Sequence, residues 1–191
     1  MAVSRFNPDY PDAGLVQIVP TSIVVGSGSG STNGNGTITF SGASSISLNG
    51  IFNATYNFYK LVIAGTSSGD VGFSGRYRVA GVDETGSNYS MTGVYTNNAA
   101  GPSRTNSAGA TATEIGTLGA NGFGCEVTFF NPFSTSHKKT YISHSFANYA
   151  SDRDNRMIGG QYNATNSYDG ITLYPSSGTF TGSLQVYGYR N

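Results

Sequence analysis

The chain has 191 residues, with ten basic side chains balanced by ten acidic ones. That length suits one domain with a substantial core, and the neutral balance leaves no basic field to draw the chain to nucleic acid or an anionic membrane. Charged residues are only 10%, against about 25% in an average globular protein, while Tyr and Phe bring aromatics to 13%, too many for a disordered chain. Tyr, Phe, Thr and Val favour strands, and the 27 glycines with abundant Asn and Ser punctuate turns, so the composition reads as all-β.

In chain order, residues 1–36 read as an extended N-terminal arm and a Gly/Ser-rich linker. "RFNPDYPDAG" is rich in turn formers, and each X-Pro pair disfavours helix. "LVQIVPTSIVV" is apolar but broken by Pro20, which fits either a first edge strand or an arm that adds itself to a neighbouring surface. "GSGSGSTNGNG" is flexible by composition, a linker or a long hairpin tip. The N-terminus lacks the apolar stretch of a signal peptide, which predicts no export by that route. The single cysteine, Cys125, supports no internal disulfide framework and suits a reducing cytoplasm.

Residues 37–191 read as a β-sandwich domain. Ten short β runs recur between turn clusters: "TITF", "SISLNGIF", "YNFYKLVIAG", "GRYRVAG", "NYSMTGVYT", "GCEVTFFNPF", "KTYISHSFANY", "RMIGGQYNA", "GITLYPS" and "TFTGSLQVYGYR". Several alternate with a period of two: Tyr59, Leu61 and Ile63 share a face, as do Cys125, Val127 and Phe129, and Ile142, His144 and Phe146. Tyr77 and Val79 stand opposite Arg76 and Arg78. No helical periodicity persists over three turns. The pattern predicts a two-sheet antiparallel β-sandwich of jelly-roll type, with residues 97–122 a long polar loop.

Chemistry-bearing residues are sparse. The histidines are His137, beside two lysines in a loop, and His144, in a strand and read as a core or interface residue. No GxSxG, HExxH or P-loop motif is present. Asp152 and Asp154 are spaced like the start of a calcium loop, but the glycine and distal glutamate that make one specific are missing. Cys125 reads as a small buried hydrophobe, with inter-subunit pairing as the alternative. The reading is a non-enzyme with no cofactor, no metal and no catalytic residues.

"FNATYNFYKLVIAGTSS", "GRYRVAG", "SYDGITLYPSSGTFTGSLQVYGYRN" and the closing Gly-Tyr-Arg-Asn resemble small virion proteins of tailed bacteriophages over residues 45–191. The resemblance implies a jelly-roll-like module on the outside of the virion, made in the host cytoplasm and commonly a homotrimer. Its partners would be the major capsid protein or tail proteins. The role implied is a capsid decoration (cement) protein that stabilises the shell; the alternative is a tail-fibre or receptor- and glycan-binding module. On this reading the N-terminal segment anchors the chain to the virion through Phe6, Tyr10, Leu15, Val16 and Ile18.

Overall fold

The computed structural model describes residues 14–98 and 101–189. Among these there is no helix, and sixteen strands build the chain. In order they are β1 (Leu15–Ile18), β2 (Ser22–Val25), β3 (Ser29–Thr32), β4 (Ile38–Ala43), β5 (Ile46–Asn49), β6 (Phe58–Ser67), β7 (Val71–Val79) and β8 (Val82–Asp83). Then follow β9 (Tyr89–Asn97), β10 (Ser103–Ala110), β11 (Thr113–Leu118), β12 (Phe123–Phe130), β13 (Lys139–Asn148), β14 (Arg153–Tyr162), β15 (Gly170–Pro175) and β16 (Phe180–Tyr189).

The strands form a two-sheet antiparallel β-sandwich. The larger, ten-stranded sheet runs β10-β9-β14-β13-β12-β6-β16-β4-β3, with β1 also on β16. The smaller, six-stranded sheet runs β11-β7-β15-β5-β2, with β8 on β7. The ten runs expected from sequence correspond to β4–β7, β9 and β12–β16. Of the other six strands, β8 is a two-residue pairing just after β7, β1 and β2 bear out the edge-strand alternative for "LVQIVPTSIVV", and β3, β10 and β11 come from segments read as linker or loop. β1, β2 and β3 occupy the region assigned to arm and linker, and β10 and β11 occupy the supposed loop of residues 97–122.

The physical reason is that small polar residues can pair by backbone alone, without an apolar alternation to announce it. β3, with sequence SGST, pairs residue for residue with Ser41 through Ile38 of β4. Before it, the chain crosses from the smaller sheet to the larger at Gly28, whose φ of 71° needs glycine and whose absent Cβ would lie 2.0 Å from the Ser41 carbonyl oxygen. The Gly/Ser stretch is therefore a corner between sheets at Gly28 followed by the first strand and turn of the β3–β4 hairpin, which favours the hairpin over the linker. From Leu15 onward the chain belongs to the sandwich, and Leu15, Val16 and Ile18 pair with Tyr189, Gly188 and Val186 of β16. Phe6 and Tyr10 lie outside the described residues.

The core is aromatic at one end. Phe52 packs edge-on to Tyr59 at 4.9 Å and to Phe129 at 5.3 Å, and Tyr77 stacks on Tyr168 at 5.2 Å. Buried phenols need partners. The Tyr59 hydroxyl donates to the Asn53 carbonyl and accepts from the Asn53 amide, both at 2.8 Å. The Tyr89 hydroxyl donates to the Glu84 carbonyl at 3.0 Å and accepts from the Tyr77 amide at 2.9 Å. The Tyr77 hydroxyl has no such partner among the described residues although it is buried. Tyr77→Phe is therefore expected to raise the unfolding free energy by about 1 kcal/mol, by removing an unpaired buried hydroxyl while keeping the ring. Chemical denaturation of the two proteins checks this.

Elsewhere the sheets approach too closely for bulk. A Cβ on Gly116 of β11 would lie 2.4 Å from Ser145 Oγ of β13. The inward face of β13 therefore carries the small residues Ser143, Ser145 and Ala147 beside Tyr141, and its bulkier apolar residues point outward.

Candidate functional site

The two outer faces of the sandwich differ in kind. On the smaller sheet the outer face is closed by its own polar network. Arg78 of β7 is 7% exposed. Its Nε donates to Asn49 Oδ1 at 3.0 Å, and its Nη1 donates to Ser47 Oγ at 3.0 Å and to Thr172 Oγ1 at 2.6 Å. The same guanidinium pairs with Asp83 and donates through Nη2 to the Gly81 carbonyl. Arg76 lies over the Tyr174 ring, 4.9 Å from its centroid. These groups satisfy one another across four strands.

The larger sheet leaves its outer face open. Period-two alternation sends Tyr141, Ser143, Ser145 and Ala147 of β13 inward, and Ile142, His144 and Phe146 outward. Ile142 is 55% exposed, Phe146 47%, Met157 60% and Val94 49%. The antiparallel register sets these side by side, because cross-strand partners share a face. His144 stands opposite Met157, Met157 opposite Val94, and Glu126 opposite both His144 and Val62. An exposed apolar residue alone is ordinary, but Val94, Met157, Ile142 and Phe146 gather on the three neighbouring strands β9, β14 and β13, the kind of patch that protein contacts use.

Glycines give this face relief. Gly124 lies between Ala64 and Phe146, and Gly159 between Thr92 and Ile142. Nothing fills the space where the Gly124 side chain would project. A depression of about 380 Å³ opens beside Gly159, lined by Glu126, Ile142, His144 and Met157. A second, of about 290 Å³, opens beside Gly124, lined by Val62, His144 and Phe146. The polar groups here are surface pairs: Lys60 Nζ lies 2.6 Å from Glu126 Oε2, and His144 Nε2 lies 2.8 Å from Asn155 Oδ1. Such pairs orient side chains and add little stability.

The remaining candidates from the sequence fall elsewhere. His144 is exposed, which removes the core half of its reading and leaves the interface half open. The strand does alternate, but its bulky face is the outer one. His137 is exposed in the turn before β13, with Nδ1 3.1 Å from Ser134 Oγ. That serine oxygen also accepts the backbone N–H groups of Ser136 and His137, as in an ordinary Ser-led turn. Buried Lys139 fastens the same turn by donating to the carbonyls of Ser134 and His137. Among the described residues no carboxylate is hydrogen-bonded to either histidine, and no group of three or more His, Cys, Asp or Glu is placed to hold a metal.

Asp152 and Asp154 do not form a common site. Asp152 Oδ1 accepts the Asn98 and Arg153 amides at 2.8 and 2.7 Å, while Asp154 is buried against Arg156 and Thr117. Cys125 is 4% exposed, and burial pushes its thiol up to about 12. The same desolvation raises the buried phenols of Tyr89 and Tyr141. Each group ionises earlier in the unfolded chain than in the folded one, so stability is complete below about pH 9 and falls as pH rises beyond it. A thermal midpoint flat from neutrality to about pH 9 and declining above it is expected, with Cys125 unreactive to thiol reagents at pH 8 until the chain is denatured.

The proposed anchor residues are only partly united. Leu15 is 48% exposed, Val16 is half-buried and Ile18 is buried at 8%. Sequence reasoning missed Val62, Val94 and Met157. The signal that could have found the face is the inverted strand "YISHSFA", whose small residues alternate with Ile142 and Phe146. No protein-family model matches the chain, and no curated protein gives a significant match.

Proposed function

We propose that this chain is a non-enzymatic structural protein of a tailed-phage virion, a capsid decoration protein that binds and stabilises the outer shell. The observation that carries the reading is the uncovered face of the ten-stranded sheet, where Val62, Val94, Ile142, Phe146 and Met157 are exposed together. Burying them against another protein is the most direct use of such a face. The weakly charged surface supports the same reading, since it favours a protein that works inside an assembly. The resemblance of residues 45–191 to small virion proteins supplies the setting. Leu15, with Phe6 and Tyr10 upstream, is the proposed shell anchor.

A decoration protein stabilises by binding only the assembled lattice. Purified particles are then expected to contain this chain in fixed proportion to the major shell subunit, and to lose heat tolerance when it is stripped. Presence in a few copies at the tail would transfer the chain to the tail-fibre reading, and absence from particles would overturn the proposal.

A further inference from the structure

The uncovered face carries a pattern that selects its occupant. One straight row crosses five neighbouring strands: Arg104 on β10, Val94 on β9, Met157 on β14, His144 on β13 and Glu126 on β12. The row is cationic at one end, anionic at the other and centred on a methionine. Arg104 makes no ion pair among the described residues, and the Glu126 side chain is 51% exposed despite its bridge to Lys60.

We propose that a second copy of this chain covers the face, related by a two-fold axis running along β14. This deepens the association reading given above and rests on it. An axis along β14 sets Met157 against its symmetry mate and Val94 against His144. It sets Arg104 of each copy against Glu126 of the other, so both charges are answered twice. Gly159, on the same strand, meets its own mate and leaves room that Ile142 fills from either side. A contact that reuses one patch in this way is isologous and closes as a dimer.

Magnitudes fit a reversible contact. Five strands at about 4.8 Å and seven residues at about 3.4 Å give a face of about 24 by 24 Å, on the order of 600 Å² per partner. Specific interfaces average about 800 Å² per partner, so a face of this size suits a reversible dimer. Packed sheets cross at about 30°, which tilts each β14 about 15° away from the shared axis through Met157. At two strands from the axis, roughly 10 Å, that rotation displaces Arg104 from Glu126 by about 5 Å, a gap that two long side chains span.

Sedimentation equilibrium of the full chain up to millimolar concentration tests this. A concentration-dependent dimer is expected. Met157→Asp, at an exposed position that the fold tolerates, places two carboxylates on the axis and is expected to weaken the dimer at least about 30-fold. Arg104→Glu and Glu126→Arg are each expected to weaken it about tenfold, and together to return it to within about threefold of the parent. Circular dichroism checks that each variant is folded. A monomer throughout, a trimer, or a double variant no tighter than the singles overturns the two-fold pairing. If the parent is monomeric while Met157→Asp fails to rebind stripped particles, the face belongs to the shell and only the self-pairing falls. If the parent dimerises as described but is absent from particles, only the virion reading falls.

Discussion

Phe129→Ala is expected to lower the unfolding free energy by about 4 kcal/mol and the thermal midpoint by roughly 10 °C. Phe129 is 1% exposed and lies where the aromatic core is densest, with ring centroids 5.3 Å from Phe52 and 6.1 Å from Tyr77. Truncation removes the transfer free energy of the ring and leaves a cavity that Tyr59, Tyr77 and Tyr141 on β6, β7 and β13 cannot close, since each of those strands is held in register by its own ladder. β12 lies between β6 and β13, so the cavity opens in the middle of the sheet. A Val79→Ala truncation, at a position 46% exposed, is expected to change stability by no more than about 0.5 kcal/mol. Denaturant titration of both variants separates burial from mere loss of carbon. Equal, small effects would mean that this end of the sandwich is loosely packed.

Arg78→Met is expected to cost about 3 kcal/mol. The guanidinium serves Asn49, Ser47, Thr172, Asp83 and the Gly81 carbonyl, and so joins β5, β7, β8 and β15 on one face. Methionine keeps the stem's packing but leaves a half-buried carboxylate and several hydroxyls with fewer partners. Removing one member of such a pair costs about 3–5 kcal/mol when buried. The lower end applies because the Asp83 side chain is 26% exposed and keeps Thr172 as a donor at 2.6 Å. Arg78→Lys also loses the planar fork and recovers only part of the loss. Combining Arg78→Met with Asp83→Asn is expected to restore about 1 kcal/mol, because the stranded charge is then gone. A cost below 1 kcal/mol for Arg78→Met alone would show that the network is ornamental to stability.

The sandwich was legible in the sequence wherever side chains alternate with contrast. Cys125, Val127 and Phe129 against Glu126 and Thr128 announce a strand before any coordinates are seen. The strands that escaped notice are those with no side-chain contrast to read. Ser29–Thr32 and Ser103–Ala110 pair through backbone amides, and a glycine- or serine-rich strand looks identical to a linker until its partner is known. β1 was ambiguous because Pro20 follows it at once, and only its pairing with β16 resolves the ambiguity.

The outer face of the ten-stranded sheet illustrates a different limit. Periodicity places Ile142, His144 and Phe146 together but cannot say whether their face looks inward. The answer depends on how closely β11 approaches β13 at Gly116, a contact between segments about thirty residues apart. Arg104, Val94, Met157 and Glu126 lie on four different strands, and no linear spacing could bring them into one row. Conversely, the spacing of Asp152 and Asp154 was visible but meaningless for metal binding, since one orders a turn and the other is buried.

The outer face of the ten-stranded sheet is proposed to be a protein contact. Peroxide oxidation of Met157, followed by peptide mass spectrometry, reads that face directly, with buried Met91 as the internal reference. Met157 is expected to oxidise readily in dilute solution and to be protected at least about tenfold in concentrated protein or in purified particles, with the Met91 rate unchanged. Equal Met157 rates in all three states would contradict the account.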